Sequence, residues 1–143
     1  MTPREIGENL AGIRGRIEAA ARRSGRDAGE VKLVAVTKYV DTEIARNLVE
    51  AGCRHLGEAR PQELWRKAQA LAGQPIDWHL IGHLQRNKVA RTLPLVRLIH
   101  SCDSLRLIES IDSEAPKAGI APAAILLEVN VSGDATKHGF RPE

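Results

Sequence analysis

Aromatic side chains are scarce in this chain: two Trp, one Tyr and one Phe among 143 residues. A core without them must rest on Leu, Ile, Val and Ala, within an ordinary soluble balance of 43% apolar and 27% charged residues. Long apolar runs are also missing, and none approaches the roughly 20 residues of a membrane span. The start, MTPREIGENL, lacks the apolar centre of a signal peptide. A cytoplasmic chain without membrane contact is therefore expected. Its two cysteines, Cys53 and Cys102, are expected as free thiols rather than a disulfide. Charge of one sign does not dominate either. The net charge is +3 and the basic residues are scattered, which suits solvated helix faces better than a nucleic-acid footprint. The length suits one compact domain or one piece of a larger one.

What is present is a repeating pattern. Residues 2 to 24 read as a helix with Thr2 as N-cap, Pro3 in the first turn and Glu5 closing a capping box. Ile6, Leu10, Ile13 and Ile17 fall on one face, and Gly25 ends it. VKLVAVTK then reads as a strand buried on both sides. Asp41 caps a helix bearing Ile44, Leu48 and Ala51, which Gly52 stops. CRHLGEA is a second strand. Residues 61 to 72 form a helix opened by Pro61, with Leu64, Ala68 and Leu71 inward and Gly73 closing it. IDWHLIG is a third strand, followed by a helix near 84 to 92 that Pro94 terminates. VRLIHSC is a fourth, and Asp103 caps a helix bearing Leu105, Ile108 and Ile111. AAILLEVNV is a fifth, and SGDATKHG a polar loop.

Five alternations of strand and helix imply an α/β fold with a parallel sheet. The chain ends in GFRPE, and Pro142-Glu143 reads as a helix start. The expectation is one domain, 1–143, cut part-way through a repeating architecture.

In such sheets functional residues gather at the carboxyl ends of the strands. Here those ends are Thr37-Lys38, Gly57-Glu58, His79 with Gly82-His83, Ser101-Cys102-Asp103, and Asn130. Lys38 stands out, and position alone leaves two readings open. Its stem covers apolar surface while its head reaches water, or its amine is desolvated enough to stay neutral and attack an aldehyde. Position by itself favours the first.

The blocks VAVTK, HLGEARPQEL, WHLIGHLQRNK, HSCDSLRL and EVNVSGDATKHGF resemble, in order, the pyridoxal phosphate homeostasis protein family (YggS/PROSC type). Proteins of that family are similar in fold to the N-terminal barrel of alanine racemase. The resemblance implies a partial TIM-type (β/α)8 barrel: an N-terminal helix and about five parallel strands, with the C-terminal strands absent. It places pyridoxal 5'-phosphate on Lys38 as a Schiff base. Glu58, His79, Gly82 and Asn130, at or beside the strand ends, are the candidate cofactor neighbours, with structural hydrogen bonding the safer reading of Asn130. It implies a carrier that hands the cofactor to apo-enzymes without robust catalytic turnover, so no catalytic residue is named. Two departures bear on binding. The family's Gly-Glu-Asn block is GEA here, so Ala59 forgoes a polar contact worth about 1 kcal/mol. The Gly-Met-Ser and Arg-Ile-Gly blocks that form the family's phosphate cup are not in this sequence. Charge-assisted phosphate bonds contribute about 1.5–3 kcal/mol each. For this chain alone the expectation is therefore a weak aldehyde trap.

Other motifs carry less. His79 and His83 have an i, i+4 spacing that on one helix suits zinc. Here they straddle a strand end, and no third ligand has matching spacing. Glu128 and Asn130 are expected on one face of the fifth strand, near the barrel axis. Gln85, Asn87 and Lys88 match the family block and read as structural. Five strands leave two open edges and an apolar sheet interior, so an open barrel segment is expected that is unstable or self-associating as an isolated chain. Two rivals stand beside the carrier. A racemase-like enzyme needs a second acid/base, and the single tyrosine, Tyr39, is expected to point away from Lys38. A degenerate fragment without ligand binding is the other.

Overall fold

A computed structural model describes residues 1–120 and 122–142. The first helix, α1 (Pro3–Arg23), begins as its sequence dictates. The Thr2 hydroxyl accepts from the Glu5 amide, and the Glu5 carboxylate accepts from the Thr2 amide. Ile6 and Leu10 bury against the domain. Ile13 does not, being 41% exposed, although Ile17 is half-buried and Ala21 is buried further along the helix.

The remaining elements alternate: β1 (Val34–Val36), α2 (Thr42–Glu50), β2 (His55–Glu58), α3 (Pro61–Ala70), β3 (Asp77–Leu80), α4 (Val89–Thr92), β4 (Val96–Cys102), α5 (Leu105–Glu114) and β5 (Ile125–Leu127). All four strand pairings are parallel and the spatial order is β1-β2-β3-β4-β5. This is an open arc of a TIM-type barrel, with a helix after each of β1 to β4. Asp41 caps α2 through the Ile44 amide, and Gly52 stops it with φ at 82°.

The core lies between sheet and helices. Leu56, Leu80 and Ile99 point from β2, β3 and β4 toward Leu64, Leu71, Val89, Leu107 and Ile111. The register puts Val36, Gly57, His79 and Leu98 on the opposite, inner face. That face is not the apolar surface expected, because three histidines and Asp77 occupy it. Apolar exposure instead concentrates at the β5 edge, where Leu127 is 58% exposed and Val131 follows in the open.

Three local expectations need correction, and a fourth is untested. Residues 86–88 and 93–95 are 3-10 turns around a short α4, and Pro94 lies inside the second turn rather than ending a helix. Ser104, not Asp103, is the N-cap of α5, and Leu105 is exposed while Leu107 is buried. Strand β5 ends at Leu127, so Glu128 and Asn130 lie beyond it. The helix start read at Pro142-Glu143 includes Glu143, which is outside the described residues.

Gly82 shows how tightly the rim is packed. A Cβ there would sit 2.1 Å from the Ala59 carbonyl oxygen, a backbone atom that cannot swing aside. Gly82→Ala is therefore expected to lose about 2–3 kcal/mol, read as a lower urea midpoint.

Candidate functional site

Thr37 is the pivot of the carboxyl rim. It continues the helix-facing row of Leu33 and Ala35 and is fully buried. Its amide donates to the Gly57 carbonyl at 2.9 Å, and its carbonyl accepts from the Val40 amide at 3.1 Å. Its hydroxyl donates to Glu58 Oε1 at 2.7 Å. Lys67 Nζ, from α3, donates to the Thr37 carbonyl at 2.6 Å and to Glu58 Oε1 at 2.5 Å. The Lys67 and Glu58 side chains are each only 1% exposed. A buried ion pair thus grips the peptide that enters Lys38. Charges so placed are tolerable only because each is paired and hydrogen-bonded.

Lys38 follows in the turn at the carboxyl end of β1 and is exposed. That exposure matches the reading that position alone favours, a head that reaches water. Among the described residues its amine makes no hydrogen bond or ion pair, and it lies 4.9 Å from the centroid of the Tyr39 ring. This corrects the expected divergence of the two side chains. Alternation holds only within a strand, and β1 ends at Val36. A free amine on a firmly held backbone, at the rim where barrel chemistry gathers, fits an aldehyde cofactor.

The other candidates separate. Glu58 lies on the helix-facing side, and its carboxylate is taken up by Lys67 and Thr37, so it reaches Lys38 only through the backbone. His79 is on the inner face and buried. Its Nε2 lies 3.1 Å from His55 Nδ1 and its Nδ1 2.8 Å from His100 Nε2, a diagonal row of imidazoles across β2, β3 and β4. Gly82 brings the turn after β3 against that after β2, and its carbonyl accepts from the Ser101 hydroxyl. Asn130 serves its own loop: its Nδ2 donates to the Asp134 carbonyl, and its Oδ1 accepts from Ser132. Cys53 and Cys102 are free, and burial pushes both thiols up. That suits inert packing.

Burial, with His100 and His55 alongside, pulls His79 down to about 4. In the unfolded chain its ordinary value is about 6.5. Between those values the unfolded chain binds a proton that the folded chain refuses, so stability falls as pH drops through that window. A loss of roughly 2–3 kcal/mol from pH 7 to pH 4 is expected from this group. Urea midpoints against pH should show it, and His79→Asn should flatten the slope.

Lys67, the buried partner of Glu58 and Thr37, is a residue that the sequence reading overlooked. The signal was there: it stands three residues after Leu64 and four before Leu71, on the inward stripe of α3.

The family model described as "Alanine racemase, N-terminal domain" matches residues 9–143. A pyridoxal phosphate homeostasis protein of Pseudomonas aeruginosa is 39% identical over 138 residues, covering 96% of this chain and 60% of its own length. One from Aquifex aeolicus is 40% identical, covering 95% of this chain and 59% of the relative. PipY of Synechococcus elongatus PCC7942, solved with PLP bound, superposes with a TM-score of 0.77 at 35% identity, covering 94% of this chain and 57% of PipY. The chain thus spans about 60% of the length of the curated relatives it matches. No helix of the described residues is long and apolar enough to cross a membrane. By the family model and by these relatives, this chain belongs to the alanine racemase N-terminal domain family, on the branch of the pyridoxal phosphate homeostasis proteins.

Proposed function

We propose that this chain holds pyridoxal 5'-phosphate through Lys38 and serves its storage and delivery to apo-enzymes rather than a turnover reaction. The observation that carries the reading is the free Lys38 amine on a backbone anchored by Thr37, Glu58 and Lys67. The PLP-bound state of PipY, a structural neighbour, supports it. When bound, the cofactor supplies an aldehyde that condenses with an amine and releases one water. Lys38 presents that amine. Glu58 and Lys67 act as positioning residues through Thr37. His79, Gly82 and Asn130 shape the surrounding rim and its loops, and they do so without displacing Lys38 as the point of attachment. The exposed edge at β5 would make the isolated chain self-associate, which size-exclusion chromatography reads.

An absorbance titration with pyridoxal phosphate tests the reading. A saturable change of one cofactor per chain, weaker than micromolar, is expected, together with no interconversion of alanine enantiomers above that of free cofactor. Absence of saturation would favour a fragment without ligand binding. Racemisation above the free-cofactor rate would favour an enzyme.

A further inference from the structure

We infer that His83, Asp103 and His138 form a site for a divalent first-row transition ion, with zinc the best match. The trio is assembled from three separate connections: the turn after β3, the end of β4 and the loop after β5. The fold brings one ligand atom from each within 4.8 Å of the others. Asp103 Oδ2 lies 3.0 Å from His83 Nδ1 and 3.9 Å from His138 Nδ1. The two imidazoles stack at 5.0 Å with 28° between their planes.

A single hydrogen bond would need only one histidine. Here two converge on one carboxylate, and that carboxylate is available. Asp103 does not cap α5, and among the described residues the imidazoles are its only side-chain partners. Its side chain is 8% exposed, so it is a held ligand, while both histidines are at the surface and free to adjust. Two imidazole nitrogens and a carboxylate oxygen are a borderline donor set that suits zinc. Bonds of about 2.0–2.2 Å in tetrahedral geometry put ligand atoms roughly 3.3–3.5 Å apart. The observed spacings bracket that value, so imidazole movements on the order of 1 Å close the site. Both histidines are exposed, so solvent can supply the fourth ligand, as in zinc sites that keep an exchangeable water. The site shares the carboxyl rim with Lys38 but needs no cofactor.

The test uses tag-free, metal-stripped chain and Co2+ as a visible probe, with zinc as competitor. One Co2+ per chain is expected, displaced by zinc. His83→Ala and His138→Ala should each weaken binding at least about tenfold with the circular dichroism unchanged, and Asp103→Asn should do the same. His55→Ala, in the separate imidazole row, should leave it unaltered. Absence of saturable Co2+ binding up to millimolar metal overturns the inference. So does binding lost in His55→Ala but kept in both rim variants.

Discussion

Lys67→Met is expected to destabilise the chain by about 3–5 kcal/mol, the largest stability effect of any single change considered. The substitution leaves the Glu58 carboxylate buried without its counter-charge, and it removes a donor from the Thr37 carbonyl. Glu58→Leu should cost a similar amount by stranding the ammonium. The double variant Glu58→Leu/Lys67→Met should recover most of the loss. An apolar pair of similar volume incurs no desolvation cost, and Thr37 keeps its bonds to Gly57 and Val40. Urea denaturation of the three variants measures this. A loss below about 1 kcal/mol in both single variants would mean that the buried pair is not what holds the rim.

Lys38→Ala is expected to abolish covalent cofactor capture while leaving stability within about 0.5 kcal/mol of the parent. Lys38 is exposed and its amine bonds to nothing among the described residues, so removing it disturbs no packing. Lys38→Arg should also lose capture, because a guanidinium stays protonated and cannot serve as the nucleophile. The absorbance change on adding pyridoxal phosphate reads both. The split between the two lysines follows: Lys38 variants lose binding and keep the fold, Lys67 variants lose stability first. An undiminished signal in Lys38→Ala would move the attachment elsewhere.

Much of the scaffold was legible in the sequence, because it depends on short-range chemistry. The capping box at Thr2 and Glu5, the Asp41 cap and the alternating runs all appear where local rules place them. The run VRLIHSC spans β4 from first residue to last. The failures arise where tertiary contacts override local preference. Asp103 has the chemistry of a cap but turns to His83 instead, and Ser104 takes the capping position. Tyr39 escapes the strand rule because the chain turns at Thr37. The helix expected near 84 to 92 is broken into tighter turns, with Pro94 placed where its missing amide does no harm. In the proposed site, Lys38 stood out by position, but only the family blocks weighed toward a ligand role over a solvated lysine. The clamp beneath it was not, since a lysine on an apolar stripe finds its carboxylate only when α3 packs across β2. The imidazole row across β2, β3 and β4 depends on register between strands, which no single strand encodes.

Of the six lysines in the chain, one, held by a buried clamp, is proposed to take the aldehyde. Incubation of the full chain with limiting pyridoxal phosphate, borohydride reduction and peptide mass mapping tests it most directly. The label is expected to concentrate on the peptide bearing Lys38. A label spread evenly over Lys32, Lys88, Lys117 and Lys137, with Lys38 no richer than they are, would contradict it.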